Sequence, residues 1–319
     1  MQLSKRIQTL VKILITLATF GYIAWKLMRY EDLGSTGQLF IRQLGEAPVL
    51  LLVLAILMMP LNWLLEMKKW KNLICFLHPI SWAETIRAVL AGLTMALLTP
   101  NRIGETFSRV FVLPKEQRVA GVGLSTVNSL AQIVIIQLFG VLGILILLNN
   151  ELFLETTRTN IGWTILVLGA LISVLIVIIF FRIDKIGKVF GRWKRIKKFT
   201  DSINIINRLS YKHKWTVLFW SGLKYFVYTT QFYLLLVYFG VDIPWYTCYP
   251  AMMTIYILLN YMPVIAIGEA GIRGSVTLFI IGQFSEATIS ILAASFGLWL
   301  LNIVIPAIIG GFIMPKVKF

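Results

Sequence analysis

Long apolar stretches dominate this chain, and two of them are broken by nearly the same charged motif. The first copy reads Thr99-Pro100-Asn101-Arg102-Ile103-Gly104-Glu105-Thr106-Phe107-Ser108-Arg109. The second reads Met262-Pro263-Val264-Ile265-Ala266-Ile267-Gly268-Glu269-Ala270-Gly271-Ile272-Arg273. In both, Arg follows Glu by four residues, and the two Glu are 164 positions apart in a chain of 319 residues. A charged pair repeated at about half the chain length predicts a duplicated membrane fold with a site at its centre.

The composition is that of a membrane protein. Hydrophobic residues make up 58% of the sequence and charged residues only 14%, with a mean hydropathy of +0.81. Several apolar stretches are long enough to cross a bilayer, and they are continuous rather than alternating, which excludes a β-barrel. The sequence therefore predicts an all-α polytopic membrane protein. The expected spans are at about residues 8–28, 48–65, 119–148, 161–181, 215–239 and 287–312.

The positive charge predicts the orientation of these spans. The formal net charge is +16, and basic residues cluster between the apolar stretches, as at Lys68, Lys69 and Lys71. Such clusters favour the cytoplasmic side and attract inner-leaflet anionic lipids, so both termini are expected in the cytoplasm of a cell-membrane protein. At about 184–211, apolar residues recur at helical spacing among Lys and Arg, which predicts an amphipathic helix on the inner leaflet. Nucleic-acid binding is not expected.

Every loop fits this charge rule only if the two broken segments are re-entrant hairpins. They lie at about 82–113 and 245–281, and they enter from opposite sides. Ser81-Trp82-Ala83-Glu84 is a capping box that opens the first hairpin. Each half then has three spans and one hairpin, and the second half is inverted, as in secondary transporters. The predicted domains are a first repeat at 1–150 and a second, inverted repeat at 151–319.

The repeated motif supplies the candidate site. Four-residue spacing places the Glu and Arg of each copy on one helix face, at the first turn of a short helix whose N–H groups face the break. Arg presents a forked set of donors suited to a phosphate. We expect the two helix tips to approach each other in the bilayer and form a pocket for an anionic headgroup. Alternatively, each pair is a closed salt bridge that only fixes its hairpin. The predicted break residues are Pro100, Gly104, Pro263, Gly268, Gly271 and Gly274.

Two further cations have two interpretations each. Arg102 either collects phosphate at the mouth of the pocket or extends to the membrane interface. Lys224, about 13 Å into its span at 1.5 Å per residue, is either a second cationic ligand or extends along its helix. The candidate substrate-binding residues are Arg102, Glu105, Arg109, Lys224, Glu269 and Arg273. Polar residues inside the spans are expected to hydrogen-bond between helices, with a few lining a cavity; they include Asn62, Ser125, Asn128, Gln132 and Asn302.

The sequence contains none of the common catalytic signatures. It has no phosphate-binding Gly-x-x-x-x-Gly-Lys-Ser/Thr loop, no nucleophile elbow and no His-Glu-x-x-His motif. Cys75 and Cys248 match no metal-binding spacing. We therefore predict a protein that is not an enzyme and that has no cofactor and no metal site.

At Thr99 to Glu105 and at Gly268 to Gly274, the chain resembles the lysylphosphatidylglycerol synthase transmembrane region, or flippase-like proteins. This family includes the membrane half of the multiple peptide resistance factor. The resemblance covers essentially the whole chain and implies movement of an anionic or modified lipid between leaflets. It also implies that Arg102, Glu105, Arg109, Glu269 and Arg273 are signature positions. The soluble aminoacyl-transfer domain of two-part members is absent from this sequence, so lysyl-lipid synthesis is not implied. Gly274 replaces an acidic residue of many relatives.

The leading hypothesis is a translocase for an anionic phospholipid or polyprenyl-phosphate-type lipid. Arg109, Arg273 and Lys224 would bind the phosphate, while Glu105 and Glu269 would hold the arginines when the site is empty and one of them would take up a proton. One alternative is a non-transporting membrane partner of a lipid- or glycan-synthesis enzyme, and another is a small-anion transporter. An enzyme partner or a homodimer is compatible with the sequence.

Overall fold

The structure is a computed structural model that describes residues 14, 17, 20–25, 33–99, 102–149, 160–183, 205–262 and 268–313. Within these residues the chain is helical and contains no strand. The helices in chain order are α1 (Leu33–Glu46), α2 (Val49–Ile74), α3 (Trp82–Leu98), α4 (Ile103–Arg109), α5 (Arg118–Leu148), α6 (Asn160–Phe181), α7 (Tyr211–Tyr238), α8 (Trp245–Tyr261), α9 (Glu269–Ile281), α10 (Thr288–Trp299) and α11 (Ile305–Ile313). Short 3₁₀ turns lie at Val110–Val112 and Lys115–Gln117, and a π-helical turn, Leu300–Val304, joins α10 to α11.

Four helical stretches in the described part of the chain are long and apolar enough to cross a membrane. They are Val49–Ile74, Lys115–Leu148, Gly162–Phe181 and Thr288–Ile313. This confirms the predicted all-α polytopic membrane fold. Helix α7 forms at the predicted span 215–239 but is not among the four. Most of the predicted first span and of the amphipathic helix at 184–211 lies outside the described residues, as does the C-terminal end.

Helix α2 continues nine residues beyond the predicted end of its span. The sequence predicted a cytoplasmic loop after residue 65, but the helix extends to Ile74. Lys69, assigned to that loop, is buried within the protein. The prediction was wrong because this lysine pairs with Glu66, one helical turn earlier, and not with water.

The first break lies between α3 and α4, as predicted. The capping box forms: Glu84 N donates to Ser81 Oγ at 3.2 Å, and Ser81 N donates to Glu84 Oε2 at 2.7 Å. At the other end of α3, Thr99 Oγ1 donates to Met95 O at 2.6 Å and accepts from Gly104 N at 2.8 Å. Thr99 therefore satisfies backbone groups on both sides of the break.

The second break lies between α8, which ends at Tyr261, and α9, which begins at Glu269. Met262 N still donates to Leu259 O at 3.3 Å. Gly268 is the residue immediately before α9. Pro263, like Pro100 in the first break, lies outside the described residues.

The chain forms two compact units that each combine segments from both sequence halves. Unit 1 contains residues 1–59, 139–166 and 229–301, and unit 2 contains 60–138, 167–228 and 302–319. These units group residues by proximity, whereas the predicted division at about residue 150 concerns internal repeats and stays a prediction.

Unit 1 includes α8, α9 and α10. Within it, α9 packs on both α8 and α10. Gly140 and Gly143 of α5 lie close against Ile257 and Met253 of α8. Gln231 Nε2 of α7 donates to the carbonyl of Ala55 at 2.9 Å in the buried interior. Small residues on α5 therefore let α8 approach closely, as is usual for membrane helices.

Unit 2 contains α3, α4 and α11 together with the adjoining parts of α2, α5, α6 and α7. Its apolar core includes the fully buried side chains of Trp70, Leu124 and Phe180. Trp70 Nε1 donates to Ser125 Oγ at 3.0 Å, which links α2 to α5. Helix α3 packs on both α4 and α11.

The π-helical turn precedes Pro306, which has no N–H to donate to the carbonyl four residues earlier. Asn302, within this turn, accepts a hydrogen bond from Asn62 Nδ2 at 3.0 Å. Two of the polar residues expected to bond between helices therefore do so. This bond ties the start of α11 to α2 inside unit 2.

Gly310 provides a test of how α11 packs on α3. A Cβ atom at Gly310 would collide with the Leu90 carbonyl and with Thr94 Oγ1, whereas one at Gly311 would meet only Thr94 Cγ2 at 4.0 Å. We expect Gly310→Ala to lower the free energy of unfolding by about 1–3 kcal/mol, because the Leu90 backbone cannot yield. Thermal unfolding in detergent is the measurement, with Gly311→Ala as the control that should behave like the wild type.

Candidate functional site

A single buried carboxylate, Glu66 of α2, is the centre of a charged cluster in unit 2. Its Oε1 accepts from Arg109 Nη1 at 2.7 Å and from Asn128 Nδ2 at 2.9 Å. Its Oε2 accepts from Lys224 Nζ at 2.7 Å and lies 3.1 Å from Lys69 Nζ. Each oxygen therefore has two donors, and three of the four are cationic. Burial of a carboxylate requires this degree of compensation.

The cluster extends from Glu66 as an alternating chain of charges. Arg109 donates through Nη2 to Glu105 as well as through Nη1 to Glu66. Glu105 Oε2 in turn lies 3.4 Å from Arg102 Nε. The order along this chain is Lys224, Glu66, Arg109, Glu105, Arg102. Neighbouring groups have opposite sign, and both ends of the chain are positive.

Exposure separates the interior of this cluster from its ends. The side chains of Lys69 and Arg109 are only 2% and 3% exposed. Those of Lys224, Glu105 and Arg102 are 26%, 25% and 32% exposed. The terminal cations Lys224 and Arg102 are thus more exposed than Lys69 and Arg109.

The cluster has more positive than negative charge. Lys69, Arg109 and Lys224 contact Glu66, and within the described part of the chain the one other carboxylate that pairs with these three cations is Glu105. Three cations against these two carboxylates leave a surplus of one positive charge in the interior. Excess charge in a low-dielectric interior favours binding of a counter-ion.

Helical periodicity explains why α2 and α5 present these groups to each other. Asn62, Glu66 and Lys69 occupy positions i, i+4 and i+7 on one face of α2. On α5, Ser125, Asn128 and Gln132 share a face in the same way, and Lys69 Nζ also donates to Gln132 Oε1 at 3.4 Å. Because a carboxylate only accepts, the Asn128 amide must turn its nitrogen toward Glu66.

A glycine on α3 makes room for the Arg109 side chain. A Cβ atom at Gly92 would lie 2.9 Å from Arg109 Cγ, 3.0 Å from Arg109 Nε and 3.2 Å from the Glu105 carbonyl. The guanidinium therefore crosses α3 directly over a position without a side chain. Gly92 is the residue that allows Arg109 to reach Glu66 from α4.

Arg102 adopts a left-handed backbone conformation, with φ 57° and ψ 23°, just before α4. It is the only residue other than glycine with positive φ in the described part of the chain. This conformation is costly for a residue with a Cβ, by about 1–2 kcal/mol. The turn brings Arg102 and Glu105 into contact across the first turn of α4.

The second copy of the motif lies in unit 1. Arg273 donates to Glu269 Oε1 through Nε at 3.0 Å and through Nη2 at 2.9 Å. Glu269 is buried and Arg273 is partly exposed. Both copies therefore form the predicted four-residue ion pair. The predicted meeting of Arg109 and Arg273 concerns residues of different units and stays a prediction.

Three predicted break glycines have packing roles inside helices. Gly104 lies in the first turn of α4, where a Cβ atom would lie 2.5 Å from the Met95 carbonyl oxygen and 2.6 Å from Thr99 Oγ1. Gly271 and Gly274 lie within α9. A Cβ atom at Gly271 would lie 2.8 Å from the ring of Phe20, and one at Gly274 would lie 3.2 Å from Leu292. At each of these positions the neighbouring protein atoms leave no room for a Cβ without a shift, and the predicted part of these glycines in the breaks stays a prediction.

Sequence reasoning missed Glu66 and misplaced Lys69. The signal was present: Glu66 follows an apolar stretch and shares a helix face with Asn62 and Lys69. The charge rule places these charged residues at the end of a span, although a charge on the same helix face as a buried polar residue also marks a site. No group of three or more His, Cys, Asp or Glu side chains in the described residues is arranged to hold a metal ion.

The fold and this cluster define a class: an all-α, multi-pass membrane protein with a charged network buried among its helices. The comparison with family models identifies one family. The chain belongs to the family described as the lysylphosphatidylglycerol synthase TM region, whose model matches residues 10–311. Neither curated proteins nor solved structures gave a match. Membership indicates a lipid-related function in the membrane.

The position of Gly92 predicts the effect of crowding Arg109. We expect Gly92→Ala to lower the free energy of unfolding by about 1–3 kcal/mol, because its Cβ displaces Arg109 from Glu66 and presses on the α4 backbone. Gly222→Ala is the matched control in the same unit, since its Cβ would meet only Ile135 at an ordinary 3.8 Å. Denaturant or thermal unfolding of both variants is the measurement. Equal stability of the two variants would contradict the role given to Gly92.

Proposed function

We propose that this protein moves an anionic lipid between the leaflets of the cell membrane and binds the lipid phosphate among the cations around Glu66. The observation that carries the proposal is the positive surplus of this cluster. Buried cations without a full set of counter-charges are unfavourable, so an arriving phosphate gains the interaction that they lack. Two ammonium groups and an Arg fork are also the donors that phosphate oxygens take best.

The family supports a lipid as the ligand. Its name refers to lysylphosphatidylglycerol, a lipid whose headgroup is joined to the glycerol backbone through a phosphodiester. We extend to this chain only that shared group, a phosphate attached to a lipid. Arg109 and Lys224 are the proposed phosphate ligands, with Arg102 at the accessible end, while the acyl or polyprenyl tails stay in the bilayer. Transfer of this kind makes and breaks no covalent bond.

The proposed orientation follows from the distribution of basic residues. Lys115, Arg118 and Arg182 belong to loops assigned to the cytoplasmic side, where positive residues accumulate. Both termini are proposed to be cytoplasmic. Protease accessibility of terminal tags in sealed inverted vesicles tests this orientation independently of transport.

Lys224 offers the sharpest test of the lipid-transfer proposal. Lys224→Gln removes one positive charge from the half-exposed end of the cluster and leaves Arg109 between Glu66 and Glu105. A charge-assisted hydrogen bond contributes about 1.5–3 kcal/mol, so transfer should fall about tenfold or more. The measurement is bleaching of fluorescent phosphatidylglycerol by an impermeant reductant in proteoliposomes.

The matched control is Lys212→Gln, an exposed lysine at the start of the same helix. It should transfer phosphatidylglycerol at the wild-type rate, because it takes no part in the cluster. Unchanged transfer in Lys224→Gln, or an equal loss in both variants, would overturn the proposal. Vesicles that take up soluble phosphate without moving lipid would indicate a small-anion transporter. Vesicles that do neither would favour a membrane partner of an enzyme.

The second copy of the motif is proposed to serve the same transport. Arg273→Gln removes the donor set bound to Glu269 and is expected to reduce phosphatidylglycerol transfer at least about tenfold, for the same reason as at Lys224. Arg42→Gln is the control in unit 1, since Arg42 and its partner Glu46 are both highly exposed. Wild-type transfer by Arg273→Gln would show that the second pair only fixes the structure.

A further inference from the structure

The surroundings of Glu66 have the form of an oxyanion-binding site that is already filled. Two oxygens share one negative charge, and each takes two donors at 2.7–3.1 Å. The non-bridging oxygens of a phosphodiester likewise are two in number and share one negative charge. An Arg fork, two ammonium groups and an amide N–H would satisfy such a phosphate in the same way.

We propose that Glu66 is an intramolecular competitor for the lipid phosphate: it occupies the cations in the empty protein and gives them up when the headgroup binds. This inference depends on the proposed lipid transfer and adds to it the residue that sets how tightly the phosphate is bound. Glu66 itself makes no favourable contact with the phosphate. It acts by taking the donors that the phosphate needs.

The exchange begins at Lys224. Its side chain is 26% exposed, whereas Glu66, Lys69 and Arg109 are 8%, 2% and 3% exposed. Lys224 comes from α7, so it can release Glu66 without unfolding α2. Lys69 lies one turn from Glu66 on the same helix and can keep its contact with the carboxylate. The phosphate thus pairs with Lys224 first. Lys69 stays paired with Glu66, so the carboxylate is not left without a counter-charge.

Competition of this kind serves a transporter better than an unopposed cationic site. A ligand that crosses a membrane must bind firmly enough to enter and weakly enough to leave. Three cations without Glu66 would bind a phosphate tightly and release it slowly, and would repel one another when the site is empty. A carboxylate that returns to the cations promotes release of the phosphate and lowers the positive charge of the empty site.

Glu66→Gln tests this inference because it keeps the size and the acceptor oxygen of the side chain but removes its charge. We expect the variant to bind phosphatidylglycerol about tenfold more tightly than the wild type and to transfer it more slowly. Binding is measured by native mass spectrometry against a titration of phosphatidylglycerol in detergent, and transfer by reductant bleaching in proteoliposomes. Glu116→Gln, an exposed carboxylate of the same unit, should leave both unchanged.

Glu66→Asp covers the case in which the glutamine variant does not fold. It keeps the charge but withdraws it by one methylene, so competition weakens and phosphatidylglycerol binding should tighten, by less than in the glutamine variant. Equal or weaker binding in the folded variants would overturn the inference. Inorganic phosphate is titrated in parallel. Variants that bind inorganic phosphate more tightly, but phosphatidylglycerol no more tightly, would also overturn the inference.

These outcomes are distinguishable from failure of the proposed function. A wild-type protein that neither binds nor transfers phosphatidylglycerol would contradict lipid transfer itself. A wild-type protein that does both, with Glu66→Gln binding no more tightly, would contradict only the competition. Thermal unfolding of each variant shows whether a lost signal reflects a lost fold.

Discussion

The structure of unit 2 depends on how one buried carboxylate is compensated. An ionised Glu away from water is stable only when its oxygens are fully bonded, and Glu66 achieves this with donors from α4, α5 and α7 as well as from its own helix. The same bonds therefore fix the positions of three other helices around α2. Loss of any one of these donors would leave a Glu66 oxygen short of a hydrogen-bond partner in the interior, which costs about 1–3 kcal/mol. The hydrogen bonds and ion pairs of Glu66 therefore form the charged cluster and also hold the surrounding helices in place.

Local sequence patterns predicted the parts of the fold that depend on neighbouring residues. The capping box at Ser81, the break after Leu98 and the Glu105–Arg109 pair each involve groups no more than five positions apart. Glu66 was not predicted, because its partners Arg109 and Lys224 lie 43 and 158 positions away. A one-dimensional charge rule assigns Lys69 to a loop, since it counts lysines without knowing which carboxylate they face.

The glycines likewise show that contacts between distant residues cannot be read from the sequence around one position. Gly92, Gly271 and Gly310 each lie within a helix, and the sequence does not show what each of them packs against. The structure places an arginine side chain against the first, a phenylalanine ring against the second and a carbonyl group against the third. Only the first of these bears on the cluster. Which atom would meet a Cβ is decided by packing between helices, which spacing along one helix does not reveal.

The two copies of the motif share a Glu–Arg pair but not the sequence in which that pair lies. A shift of 164 positions matches Glu105 with Glu269 and Arg109 with Arg273. The same shift matches Glu66 with Thr230, Lys69 with Tyr233 and Asn128 with Leu292, and it matches Lys224 with Pro60. At this shift the ion pair recurs in the sequence, whereas Glu66 and the two lysines that contact it do not. The positive surplus around Arg109 therefore comes from Lys69 and Lys224, which lie outside the recurring ion pair.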